Sequence, residues 1–309
     1  MSTLAQYRQF AAKEAGRFVA GTSTTGGSTT TMVVTSLITS LSQSDLYADW
    51  WLYLPTASTG DKVRVVTTGP ATTGTITVDR VFSGATVPNS KAFELHGMVR
   101  PFDDDLTETV DWTQLINDGL KRCFVEVEFT HTPVANQTRH DVTTLNTWLT
   151  NPMWIREVGV LQTGEARLEV DPYRGRRVRG HAEKRSNIVY LEHPNRSFTS
   201  TETIYVKAIK PAYYHCAASG GAYGSQATGL ALESDIAEPR LEWVAYAALV
   251  ELARRMLGPA DAQDDIRRKE QRWADLYSYY TQQETKDLPS LKFSEKLMVG
   301  VIGQHTRWR

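Results

Sequence analysis

The amino-acid sequence predicts an α+β fold, a helical bundle with antiparallel β-sandwich or barrel modules. Three observations predict it. Apolar residues recur at helical spacing over 111–122, 239–257 and 260–284. Short alternating segments, broken by Gly, Pro and Ser about every ten residues, fill 32–100 and 124–210. Of the 309 residues, 41% are apolar and 22% charged, a composition that folds around a core.

Residues 1–20 read as an amphipathic helix with Leu4, Tyr7, Phe10, Ala11 and Phe18 on one side. Arg8, Lys13, Glu14 and Arg17 interrupt the apolar run that a signal peptide needs, so synthesis and folding in a reducing cytoplasm are expected. Residues 21–31, GTSTTGGSTTT, carry no apolar side chain and read as a flexible linker. The segment 32–100 then reads as a small β-barrel or sandwich module built from MVVTSLI, WWLYLP, KVRVVTT, TGTITVDRVF and KAFELHGMV, with a turn at Gly69-Pro70.

An α+β body is expected over 101–284. Asp111 is a candidate N-cap with Gln114 at capping-box spacing, and Leu115, Ile116, Leu120 and Cys123 form the stripe of helix 111–122. Lys121 and Arg122 fall in its last turn, where the helix dipole favours cations. Antiparallel strands are expected over 124–210 from FVEVEFT, MWIREVGVL, ARLEVDPY, RRVRGHAEK, NIVYLEH and TIYVKAIK. The Gly/Ala/Ser-rich stretch 211–235 reads as an exposed loop. Helix 239–257 has Leu241, Val244, Ala248, Leu252 and Met256 on one broad face and stops at Gly258-Pro259. Helix 260–284 has the narrower stripe Ile266, Trp273, Tyr277 and Tyr280, and the short connection predicts an antiparallel helix pair. Residues 285–309 have no period and read as an extended tail.

Lys+Arg number 34 and Asp+Glu 35, a net charge of -1, which excludes a generally polycationic nucleic-acid binder but not a local basic face. Two cysteines, Cys123 and Cys216, are too few for a disulfide scaffold or a thiolate zinc site. No stretch approaches the roughly 18 apolar residues of a membrane span.

Chemistry-bearing motifs are scarce. The seven histidines form no HExxH pattern, and GxSxG, GxxxxGK[ST] and strand-linked GxGxxG are missing from the sequence. No catalytic residue, cofactor or metal site is therefore expected. Asp103, Asp104 and Asp105 read as an acidic lead-in to the following helix rather than a cation site. The sharpest local feature is a basic ribbon: Arg174, Arg176, Arg177, Arg179, Lys184 and Arg185, with Arg196 close by. It reads as a solvated or partner-facing hairpin, or as a sequence-independent phosphate contact. Trp273, Tyr277, Tyr279 and Tyr280 are candidates for a subunit interface, since Tyr279 lies off the apolar stripe.

Several passages resemble head-to-tail adaptor (neck or connector) proteins of tailed bacteriophages. VDWTQLINDGLKRCFVEVEF is similar to that family's helix-then-strand, WLTNPMWIREVGVL and ETIYVKAIKPAYY to two of its strands, and YAALVELARRML to its Ala-rich penultimate helix. GDKVRVVTTGPATTGTITVDRVFSGATVPNSKAFEL is similar to a β-module of phage structural proteins. Gly119 departs from the pattern, which carries Ala there, and suggests close packing against a neighbour. The resemblance implies a virion structural protein without enzymatic activity. It implies a homo-oligomeric ring, twelve-fold in the family, seated between the portal protein and the tail terminator or other neck proteins. Non-specific contact with packaged double-stranded DNA in the channel, and no membrane contact, go with that role. The tail, with Phe293, Met298, Ile302 and Trp308, would then extend onto a neighbouring subunit or the portal. An alternative is a tail-tip or receptor-binding protein whose β-module holds carbohydrate on Trp50, Trp51 and Tyr53. A third reading is a virion cell-wall hydrolase using Asp or Glu pairs.

Overall fold

A computed structural model of the chain describes residues 2–24, 27–37, 46–57, 60–70, 73–83, 90–101, 110–141, 146, 148–149, 154–162, 179–183, 188–192, 197–226, 228–256 and 264–284. In chain order these form β1 (Ser2–Thr3), α1 (Leu4–Ala15), β2 (Phe18–Thr22), β3 (Thr31–Val33), β4 (Trp51–Tyr53), β5 (Val63–Thr68), β6 (Thr75–Val78) and β7 (Ala92–His96). There follow α2 (Trp112–Arg122), β8 (Phe124–His131), β9 (Arg139–Asp141), β10 (Ile155–Gln162), β11 (Arg179–Glu183), β12 (Ile188–Glu192), β13 (Glu202–Pro211), β14 (Ile236–Ala237), α3 (Leu241–Met256) and α4 (Asp264–Glu284). The architecture is mixed α and β, and every ladder between the described strands is antiparallel. The chain divides into two units, the first comprising Met1–Cys123 and Cys216–Ser278, the second Phe124–His215 and Tyr279–Arg309.

In the first unit, α1 begins at a complete capping box. Thr3 accepts from the Gln6 amide, and the Gln6 side chain accepts from the Thr3 amide. The helix ends at Gly16, whose φ of 86° is the left-handed C-terminal conformation that glycine adopts without penalty. The helix is thus shorter than the expected 1–20, and Phe18 belongs to β2 instead of the helix face. Asp111 caps α2, its Oδ1 accepting from the Gln114 amide at 2.6 Å. α3 is buried around most of its circumference, from Trp243 through Val250 and again at Leu252 and Ala253. A helix packed on several sides needs small residues, which accounts for Ala245, Ala247, Ala248 and Ala253. Met256, expected on its apolar face, is instead 44% exposed. Gly119 of α2 lets the two helices approach, since a Cβ there would sit 2.8 Å from the Val244 carbonyl oxygen.

Six strands of the same unit form one sheet in the order β2-β7-β4-β5-β6-β3. One face carries a core that includes Met32, Leu52, Val66, Ile76, Phe93 and Leu95. The expectation of a barrel is corrected here, because β2 and β3 are edges and form no ladder with each other. A hydrogen bond from the Thr24 amide to the Val33 carbonyl, 2.7 Å, touches the edges at one end. β3 has three residues and forms a ladder with β6 alone. The expected linker 21–31 also changes character. Gly21 and Thr22 complete β2, Thr31 opens β3, and the Ser28 amide donates to the Thr31 hydroxyl at 3.0 Å. Hydroxyls of such a stretch satisfy backbone groups locally, so a run of Ser and Thr need not be a linker.

The second unit holds two three-stranded sheets, β10-β13-β8 and β11-β12-β9. β13 is central, paired with β8 from Ile204↔His131 to Pro211↔Phe124. Leu149, Ile155, Phe198, Ile204, Val206 and Ala208 form its core. Lys207 crosses to Glu126 at 2.5 Å. The stretch 211–235, expected to be an exposed loop, contains a 3-10 turn at Ala212–Tyr214. It also holds buried Cys216, Ala217, Leu230 and Asp235. Residues 218–222 are exposed as expected, while the isolated bridges Cys216↔Gln226 and Ala217↔Ile236 hold the ends of the stretch.

Candidate functional site

The most elaborate polar site lies where α1, β4, β7 and the segment before β14 meet. Leu4, Tyr7, Arg8, Ala11, Ala12 and Ala15 form the buried face of α1, so Arg8 occupies an apolar position. On β7, Phe93 and Leu95 point into the sheet core, which places Glu94 and His96 on the opposite face. Arg8 Nε donates to Glu94 Oε2 at 2.9 Å, its second terminal nitrogen to Glu94 Oε1 at 3.1 Å, and Nη1 to Glu233 Oε1 at 2.5 Å. Gln9 adds a bond to Glu94 Oε1, 2.8 Å, and the Tyr53 hydroxyl donates to Glu233 Oε1, 2.7 Å. The guanidinium carbon stands 4.5 Å from the Tyr53 ring centre.

Burial alone would raise the Glu94 carboxyl, but the bonds from His96 and Arg8 outweigh it and hold it at about 2. Burial lowers His96, and Glu94 only partly offsets this, so the imidazole is neutral and donates Nε2–H to Glu94 Oε2 at 2.9 Å. Burial also opposes the Arg8 charge, yet Glu233 and Glu94 together raise its pKa. A carboxylate held so acidic is no proton donor near neutral pH. The cluster joins elements far apart in sequence rather than presenting a reactive group. Sequence reasoning did not single out Arg8, Glu94, His96 or Glu233 as members of one site. The readable signal was Arg8 at i+4 from Leu4 within an apolar stripe, together with the i, i+2 pair Glu94 and His96 inside an apolar strand.

Buried histidines make the fold acid-sensitive. Burial is the first cause lowering His96, His131, His140 and His215, with His140 adding to His131 and Lys210 bringing His215 to about 4. Their folded forms stay neutral while the unfolded chain takes up protons near pH 6.5. This stabilisation is complete above about pH 6.5 and is lost as pH falls towards the depressed folded values, about 4 for His215. The urea midpoint should therefore fall steadily between pH 7 and pH 4.5, and His215→Gln should flatten the slope. An unchanged midpoint across that range would contradict the assignment.

The expected interface aromatics separate on the structure. Trp273 is buried within the chain and Tyr277 donates its hydroxyl to the Arg122 carbonyl at 3.2 Å. Tyr279 is 54% exposed and packs edge-on with the half-buried Tyr280. Trp273 thus has little surface left to offer a neighbour, whereas Tyr279 does. Of the basic ribbon, Arg179 lies in β11, its backbone opposite Glu192, and nothing is described of its side chain. Arg174, Arg176, Arg177, Lys184, Arg185 and Arg196 lie outside the described residues, as do Asp103, Asp104 and Asp105 and the tail residues Phe293, Met298, Ile302 and Trp308. Tyr53, a member of the expected sugar platform, is fully buried and committed to Glu233, so it cannot stack on a ligand. Cys123 and Cys216 are both buried.

Among the described residues, no group of three or more His, Cys, Asp or Glu is placed to hold a metal ion. No helix among them is long and apolar enough to cross a membrane. No protein-family model and no curated protein matches this chain.

Proposed function

We propose that this chain is the head-to-tail adaptor of a tailed bacteriophage. It is a virion structural protein whose copies form a ring between portal and tail around the DNA channel, and it acts by assembly without catalysis. The observation that carries the reading is where the adaptor-like passages fall. INDGLKR is α2, which runs through Cys123 directly into β8; IREVGVL is β10 and ETIYVKAIKP is β13, and the three strands pair in one sheet. The Ala-rich passage is α3, which receives Gly119 of α2. The passages that carry the resemblance thus fall into one sheet and one helix contact.

The reading carries with it the finer expectations: a helical bundle, sandwich packing of the sheets, a twelve-fold homo-oligomer, and contacts with the portal protein, tail terminator and packaged DNA. It places the protein at the neck of the virion after synthesis in the host cytoplasm. Reconstruction of the virion with this chain located in it is the experiment that tests the reading. The receptor-binding alternative loses support from the burial of Tyr53.

A further inference from the structure

In the second unit, His131 and His140 stand side by side with their ring centres 5.3 Å apart. His131 ends β8 and His140 lies within β9, so the pair joins one three-stranded sheet to the other. Each histidine is 7% exposed. The connection between the two strands is tied down. The Asn136 amide donates to the Phe198 carbonyl at 2.9 Å, and the Phe198 amide to the Gln137 carbonyl at 2.8 Å. Phe129 walls the pair on its apolar side, packing edge-on against His131 at 5.2 Å and against Trp148 at 5.8 Å. His131 Nε2 lies 2.7 Å from the side-chain amide nitrogen of Asn146. His140 Nε2 is buried and has no hydrogen-bond partner among the described residues. A buried polar atom left in this state costs free energy that a ligand would recover.

We propose that His131 and His140 hold a divalent transition-metal ion of the zinc class, with the Asn146 side-chain oxygen as third ligand and water as the fourth. Two imidazoles in the donor set select Zn²⁺, Cu²⁺ or Ni²⁺ over Ca²⁺ or Mg²⁺, which want oxygen throughout. The ring spacing fits one ion. Two imidazoles on a tetrahedral metal, with bonds of about 2.0–2.1 Å, have ring centres about 5 Å apart. Burial keeps both rings neutral, the form that offers a nitrogen lone pair to a metal. Turning the Asn146 amide over points its oxygen at the place its nitrogen takes beside His131. Two ligands of one tetrahedral ion stand about 3.3 Å apart, so seating the ion asks the amide to draw back by about 0.5 Å. Asp141, next to His140 on β9, already favours positive charge there and offsets part of the ion's. Only two of the three protein ligands are of the His, Cys, Asp or Glu kind, in keeping with the lack of any larger group of these among the described residues. The ion would clamp β8 to β9 and fasten the two sheets, a structural role.

Calorimetric titration of the full chain with Zn²⁺, after stripping with a chelator and removing it, tests the site. His131→Gln and His140→Gln should each weaken the wild-type affinity by about tenfold or more, and His215→Gln should leave it unchanged. Asn146→Asp replaces the amide by a carboxylate, a stronger zinc ligand, and should tighten binding by about tenfold. Saturating Zn²⁺ should raise the thermal midpoint of the wild type and not that of His140→Gln. Circular dichroism before each titration checks that the variants fold. The Asn146→Asp comparison decides by itself if a histidine variant does not fold, because it predicts a gain. No Zn²⁺ binding by the wild type, an affinity indifferent to both histidines, or an Asn146→Asp protein that binds no tighter would overturn the site.

Discussion

Arg8→Met should cost about 3–5 kcal/mol of folding free energy, because it leaves buried carboxylates without their counter-charge. Arg8 and Glu94 are both fully or nearly fully buried, and Arg8 also serves Glu233. Removing the guanidinium strips three donors from Glu94 and Glu233 at once. Urea unfolding at pH 7 measures the loss, read from the midpoint at constant slope. Adding Glu94→Gln to Arg8→Met should recover part of it, since the two residues share one network and their effects are not additive. A loss under about 1 kcal/mol, the range of an exposed ion pair, would mean that the cluster is hydrated and not the fastening described. The expected failure is specific: α1 should detach from β7 and from the segment before β14, whose Glu233 and Asp235 carbonyls accept from the Ala5 and Leu4 amides, exposing those amides to hydrogen exchange.

Gly119→Val should be the other severe change. A Cβ at this position meets the Val244 carbonyl oxygen at 2.8 Å and the Ala248 amide nitrogen at 3.2 Å. Both atoms are helix backbone, so neither can rotate aside. Overpacking of this kind costs about 1–3 kcal/mol, and valine's branches put it at the upper end. Alanine gains about 1 kcal/mol in helix propensity over glycine, which offsets part of the same clash and leaves a loss of about 1 kcal/mol. Thermal unfolding of both variants checks the order: wild type above Gly119→Ala above Gly119→Val. An alanine variant more stable than wild type would show that α2 and α3 stand further apart than described.

Gly119 also shows what could be read from the sequence. Its departure from a resembling pattern pointed to close packing, and the neighbour proved to be α3 of the same unit. Asp111, Gln114 and the α2 stripe were legible because capping and helical period are local properties. Alternation located β8, β10 and β13 for the same reason. Long-range features were illegible. Nothing near Arg8 indicates that its partners lie at positions 94 and 233, so a charged residue within an apolar stripe was passed over. Tyr53 looked like part of an aromatic platform because WWLYLP does not reveal which faces of β4 are covered. The polar 21–31 stretch concealed two strand ends, since Ser and Thr serve a hydrogen-bonded turn as readily as a linker.

The exposed face of α4 was legible for related reasons. Periodicity placed Tyr279 off the buried stripe of α4, and it is exposed.

The most direct test of the central claim is the position and symmetry of this chain in a reconstruction of the virion. The account predicts a closed ring of identical copies, twelve in the family it resembles, directly beneath the portal, with the DNA channel through its centre. Density for the chain at the tail tip, or its absence from the junction between head and tail, would contradict it.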